Sequence, residues 1–137
     1  MSVLYRLAAD AVVIVHFAYV AFVAVGLLAI LLGLICRWGW VRNFWFRSLH
    51  LLAILVVAVE AVCGITCPLT TWEQQLRTLA GETSYRGDFI ADLFHRLLFF
   101  DCQPWVFTLG YVLFGLAVLT TFVLAPPRWT KGTQGVV

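Results

Sequence analysis

Three long apolar stretches constrain this chain more than anything else in it. His16 is the one acid, base or histidine among the 26 residues of Ala11–Cys36. Leu49–Ile65 holds two such residues in 17, His50 and Glu60, and Trp105–Ala125 holds none in 21. A bilayer core about 30 Å thick is crossed by roughly 20 helical residues. The first and third stretches therefore span outright, and the second spans with help from its flanks. Lipid becomes the solvent for most of the 137 residues, and each ionisable group inside a span becomes a question about function.

Composition agrees. The chain is 63% hydrophobic and 12% charged, with mean hydropathy +0.96, against about a quarter charged in ordinary soluble domains. A net charge of +2, with no basic stripe, excludes nucleic acid as an expected partner. The length allows one membrane domain, residues 1–137. The first apolar run exceeds the roughly 7–15 residues of a signal-peptide core, and no small-x-small cleavage site follows it, so it is expected to be retained.

Charge sets an expected topology. The segment between the first two spans carries Arg37, Arg42 and Arg47 without an acid, together with Trp38, Trp40 and Trp45. That is the composition of a cytoplasmic membrane interface. The tail after Pro126–Pro127, with Arg128 and Lys131, should share that side. Cys67–Gln103 carries three arginines against five acids, a sum of −2, and is expected outside as a helical cap. Within it, Phe89–Phe100 has helical amphipathic spacing but reaches only about 18 Å. The expected architecture is an all-α membrane bundle of three spans plus this amphipathic outer helix, with a four-helix bundle as the alternative. Pro68 is expected to stop the second helix. Thr70-x-x-Glu73 and Thr71-x-x-Gln74 read as capping boxes opening a helix from about Trp72 to Leu79, and Gly81 reads as its stop.

His16 and Glu60 each lie five residues inside the outer end of their spans, roughly 8 Å deep at 1.5 Å per residue. Antiparallel neighbours would present them at one depth. Glu60, Cys63, Gly64 and Cys67 share an i, i+3, i+4, i+7 stripe, with Gly64 admitting a close backbone, and His95 can close the group from above. The pattern suits a site for a ligand, proton or metal: a desolvated carboxyl holds its proton more tightly, and a neighbouring imidazolium loosens it. The structural reading is a polar pair that locks helix packing. His50, about 15 Å from Glu60 along its helix, belongs to the opposite leaflet, so a haem between His16 and His50 is excluded by depth. Which cofactor binds, if one does, is not legible.

Cys36 reads as a reduced thiol at the inner boundary. Cys67–Cys102 is the expected disulfide if the outer face is oxidising, with Cys63–Cys102 the alternative. A zinc site from Cys63, Cys67, Cys102 and His95 lacks the two spaced pairs of closed structural sites.

Arg47-x-x-His50-Leu51, Glu60-x-x-Cys63-Gly64-Ile65-x-Cys67-Pro68-Leu69-Thr70, Glu73-x-x-Leu76-Arg77 and Pro126-Pro127-Arg128 together resemble a family of small membrane proteins described as domain of unknown function 2784. The likeness runs from His16 to Arg128. It implies a bacterial inner-membrane protein of several helices and supplies no activity, substrate or catalytic residue. The functional expectation is an accessory or structural partner of a larger membrane complex, or a homo-oligomer, with a polar outer-leaflet site. The alternative is a ligand-, proton- or metal-binding protein, with redox or quinone chemistry among the options, using His16, Glu60 and His95. An enzyme is not expected.

Overall fold

The computed structural model describes residues 1–82 and 103–129. Among them are four α-helices and one 3-10 turn: α1 Ser2–Ile35, the turn Gly39–Arg42, α2 Phe44–Cys63, α3 Pro68–Leu79 and α4 Pro104–Leu124. No strand occurs among the described residues. Three helices, α1, α2 and α4, are long and apolar enough to cross a membrane, as the apolar stretches require. The amphipathic segment 89–100 lies outside the described residues, as do His95, Cys102 and Lys131.

The helix ends follow local chemistry. α1 is longer than its apolar stretch, because Ser2–Asp10 continues the helix ahead of Ala11. Its 34 residues reach about 51 Å, more than the hydrocarbon needs, so turns carrying Arg6 and Asp10 are left for the polar region. At its other end Arg37 takes a left-handed φ of 58°, and the N–H of Trp38 returns to the Gly33 carbonyl. The Asn43 side chain caps α2, accepting from the N–H groups of Trp45 and Phe46 at 2.9 and 3.3 Å; an Asn before an apolar run is a strong start signal.

α2 ends at Cys63, five residues before Pro68, the expected stop. Gly64, at φ 67°, turns the chain while the N–H of Ile65 bonds to the Glu60 carbonyl and that of Gly64 to Ala61, a left-handed glycine stop. Gly64 has open space around it, so it serves the turn and admits no close neighbour. Pro68 instead opens α3, at the position where a missing N–H costs nothing. The two expected capping boxes are not used: Thr70 is buried inside α3 and Glu73 faces another partner. Gly81 does end α3, at φ 79°, with Glu82 N–H on the Arg77 carbonyl and its own N–H on Thr78.

Packing is pairwise. α3 lies along α1 and α4 along α2. The core where α1, α2 and α4 meet is Val23, Leu27, Ala53, Ile54 and Val118, with Phe22 and Phe114 against it. Two glycines of α1 admit close neighbours, one from α2 and one from the 3-10 turn. Gly26 faces the His50 ring and Gly33 faces Val41, since only a residue without Cβ leaves room there. His50 is fully buried, and its Nε2 lies 2.8 Å from the Val23 carbonyl, which makes that nitrogen the donor. Most other large apolar side chains of the spans are exposed, a surface suited to lipid.

Candidate functional site

Beyond the His50 level, α1 and α2 stop packing on each other and line a cavity of about 410 Å³. α1 contributes His16, Tyr19, Val20, Val23 and Ala24. α2 contributes Ile54, Val57, Glu60 and Ala61, α4 contributes Tyr111 and Phe114, the turn into α3 contributes Ile65 and Cys67, and α3 contributes Thr70. Polar groups collect at the α3 end, and the walls toward Val23 and Ile54 are hydrocarbon. His16 and Glu60 both line this one space.

His16 is 5% exposed, and the carboxylate whose field reaches it is Glu73 of α3. Glu73 is itself only 2% exposed. It accepts from Arg77 Nε at 2.7 Å, and Arg77 also reaches Glu82 at 3.1 Å and Asp10 at 3.4 Å. Arg6 closes the ladder on Glu82 at 2.8 Å. The pairs run antiparallel: Glu73 beside His16, Arg77 beside Asp10, Glu82 beside Arg6. α3 thus docks along the N-terminal half of α1, with its charges paired to those of α1. The Glu73 hydrogen bond, above all, raises the Arg77 guanidinium above its ordinary range; partial burial opposes it, and Glu82 and Asp10 add to it.

Glu60 instead meets the sulfur of Cys67. Burial, first, pushes the Cys67 thiol above its ordinary range. The N–H groups of Leu69 and Thr70 pull it down, and Glu60 pushes it up again through its charge and by accepting from the S–H. Cys67 and Glu60 both lie near the Tyr19 hydroxyl, which donates to the Ala53 carbonyl at 2.6 Å. The Glu60–Cys67 stripe was read as one helix face. The two residues meet instead because the Gly64 turn folds the chain back. Cys63 faces away and is exposed.

No disulfide is seen among the described residues, and Cys102, the expected partner of Cys67, lies outside them. Cys36, Cys63 and Cys67 are free thiols, and Cys67 is held at the N-terminus of α3 against Glu60. Among the described residues no group of three His, Cys, Asp or Glu side chains converges to hold a metal ion. Sequence reasoning missed Tyr19 and Glu73. Tyr19 stands three residues after His16, on the same helical face. Glu73-x-x-x-Arg77 is an i, i+4 ion pair whose docking partner could not be read locally.

Apolar helices of spanning length, lipid-facing surfaces and a polar-ended cavity define a small multi-pass membrane protein. Within that class, the chain belongs to the family described as Protein of Unknown function (DUF2784), whose profile matches residues 6–127. No curated protein and no solved structure matches it.

Proposed function

We propose that the protein binds a lipid-soluble ligand carrying a hydrogen-bonding head, in the cavity between α1, α2 and α4. The head would lie among His16, Glu60, Cys67 and Thr70, and the tail would run along Val20, Val23, Ile54 and Phe114. The observation carrying this reading is the cavity itself. Its volume of about 410 Å³ falls in the range of small-molecule sites, roughly 300–1,000 Å³, and such sites combine apolar walls with a few convergent polar groups. Inside a bilayer an ionisable residue facing such a space is retained at a cost. A carboxyl, an imidazole, a thiol and a phenol together can both donate to and accept from a head group, and can exchange a proton with it. On the positive-inside rule the arginine-rich end faces the cytoplasm of a bacterial inner membrane, and the cavity's polar end lies in the outer leaflet.

A place within a larger membrane complex is the second reading. It rests on the α4 surface at Gly110, which is open to a neighbouring helix.

The test is a head-group series: fatty alcohol, fatty acid and fatty amine of one chain length, added to the purified chain in mild detergent. A ligand that binds the folded state raises its melting temperature by mass action. Selective stabilisation by one head group, abolished by Ala24→Phe at the cavity wall, is the expected result. Equal stabilisation of the native chain and the filled variant would refute the site.

A further inference from the structure

At the end of the bundle opposite the cavity's polar groups, three arginines from three elements meet around the C-terminus of α4. Arg42 of the 3-10 turn donates through Nη2 to the Pro126 carbonyl at 3.1 Å. Arg47 of α2, 1% exposed, donates through Nη2 to the carbonyls of Thr121 and Ala125. The N–H of Arg128 donates to the Arg42 carbonyl at 2.7 Å, which ties the segment after α4 to the turn before α2. Phe44 and Trp129 stack across this junction at 4.3 Å.

Among the described residues the charge here is not balanced. A helix C-terminus supplies the equivalent of roughly −0.5 charge against the two guanidiniums of Arg42 and Arg47 at the helix end, and Arg128, exposed, follows with its backbone tied to Arg42. All four carboxylates among the described residues, Asp10, Glu60, Glu73 and Glu82, lie toward the α3 end, engaged with Arg77, Cys67 or Arg6. Arg47 Nη1 and Arg42 Nε are buried with no hydrogen-bond partner among the described residues. Buried charges are ordinarily paired. Trp40, Trp45 and Trp129 are exposed around the cluster, as side chains at headgroup depth are.

We propose that Arg42 and Arg128, with the buried charge of Arg47 behind them, form a binding site for the phosphate of an anionic phospholipid in the adjoining leaflet. Phosphate supplies the missing negative charge and several acceptor oxygens to guanidinium donors, and the aromatic ring sets the depth at which a headgroup, not a soluble ion, is presented. Basic pockets between spanning helices bind anionic headgroups by this chemistry. The site is independent of the cavity at the other end.

The test uses the full chain in vesicles of phosphatidylcholine with one-tenth phosphatidylglycerol, and reads the fraction of spin-labelled lipid immobilised by the protein. The expected result is a preference for labelled phosphatidylglycerol over labelled phosphatidylcholine. That preference should fall about thirtyfold in the Arg42→Gln, Arg128→Gln double variant, about fivefold for each arginine, and persist in Arg6→Gln, which alters the opposite end. Both substituted residues of the double variant are at least partly exposed, and its helicity by circular dichroism verifies folding. No preference in the native chain, or an unchanged preference in the double variant, would overturn the proposal. So would displacement of the labelled lipid by millimolar inorganic phosphate, because the site would then take the free anion.

Discussion

Arg77 engages three carboxylates, and Glu73 is the one that water scarcely reaches. Removing the cation strands a buried charge, which typically costs about 3–5 kcal/mol. Asp10 and Glu82 hold Arg77 from the exposed side and add little. Arg77→Ala should therefore lower stability by about 3 kcal/mol in a detergent melt, whereas Asp10→Asn should change it by less than about 1 kcal/mol. Equal effects would show that Glu73 is not the dominant partner. The sign of the pH dependence follows from the raised Arg77 value. A base whose folded pKa is raised contributes stability that is complete below its unfolded pKa and is lost as pH rises through the folded one. For an arginine that window is strongly alkaline, so the contribution of Arg77 should be flat across neutral pH. Cys67 gives a reactivity test. Burial and Glu60 keep its thiol protonated, and the thiolate is the reactive form. In a chain whose other cysteines are replaced by serine, maleimide labelling of Cys67 should be several-fold slower than that of Cys63 in the matching variant at neutral pH. Glu60→Gln should speed it. Labelling indifferent to Glu60 would break the proposed contact.

Helix ends and crossings are where the elements are most exposed to single substitutions. Gly64→Ala forces a Cβ into left-handed backbone at a cost of about 1–2 kcal/mol, although nothing crowds the position. Gly26→Ala should cost about 1–3 kcal/mol for the opposite reason: its φ is ordinary, but a Cβ would stand 2.5 Å from the His50 ring and push it off the Val23 carbonyl. Gly110→Ala meets open space and should be neutral or slightly stabilising. Melting curves of the three variants separate turn, crossing and lipid-facing glycines. The same elements mark how far local pattern carries. Spans were legible because hydrocarbon demands long apolar runs, and the Gly81 stop was legible because little else satisfies a left-handed turn. The end of α2 was misread because Pro68 looks like a terminator, yet it opened the next helix while Gly64 did the stopping. The capping boxes failed because Glu73 gains more from Arg77 and the α1 face than from its own helix end. The shared depth expected of His16 and Glu60 rests on helical rise alone. The docking of α3 along α1, which brings the charge of Glu73 to His16, depends on a long-range approach that no short window records. The Asn43 cap and the Tyr19 position were present in the sequence as ordinary signals.

Taken whole, the molecule separates two tasks along its length. At the arginine-rich end, glycines let α1 lie close to α2 and the 3-10 turn, and Arg47 and His50 satisfy backbone carbonyls. At the α3 end the same helices line a space that ends in carboxyl, imidazole, thiol and phenol groups. A membrane protein of this size gains nothing in packing from such a space, since each missing contact is lost dispersion energy. The cavity is thus the feature that calls for an occupant. The most direct measurement is mass spectrometry of the organic extract from the native chain purified in mild detergent, beside Ala24→Phe purified identically. An amphiphile recovered in proportion to the native protein, and absent from the folded variant, is the predicted result. The same lipids in the same amounts from both proteins would contradict a ligand in the cavity.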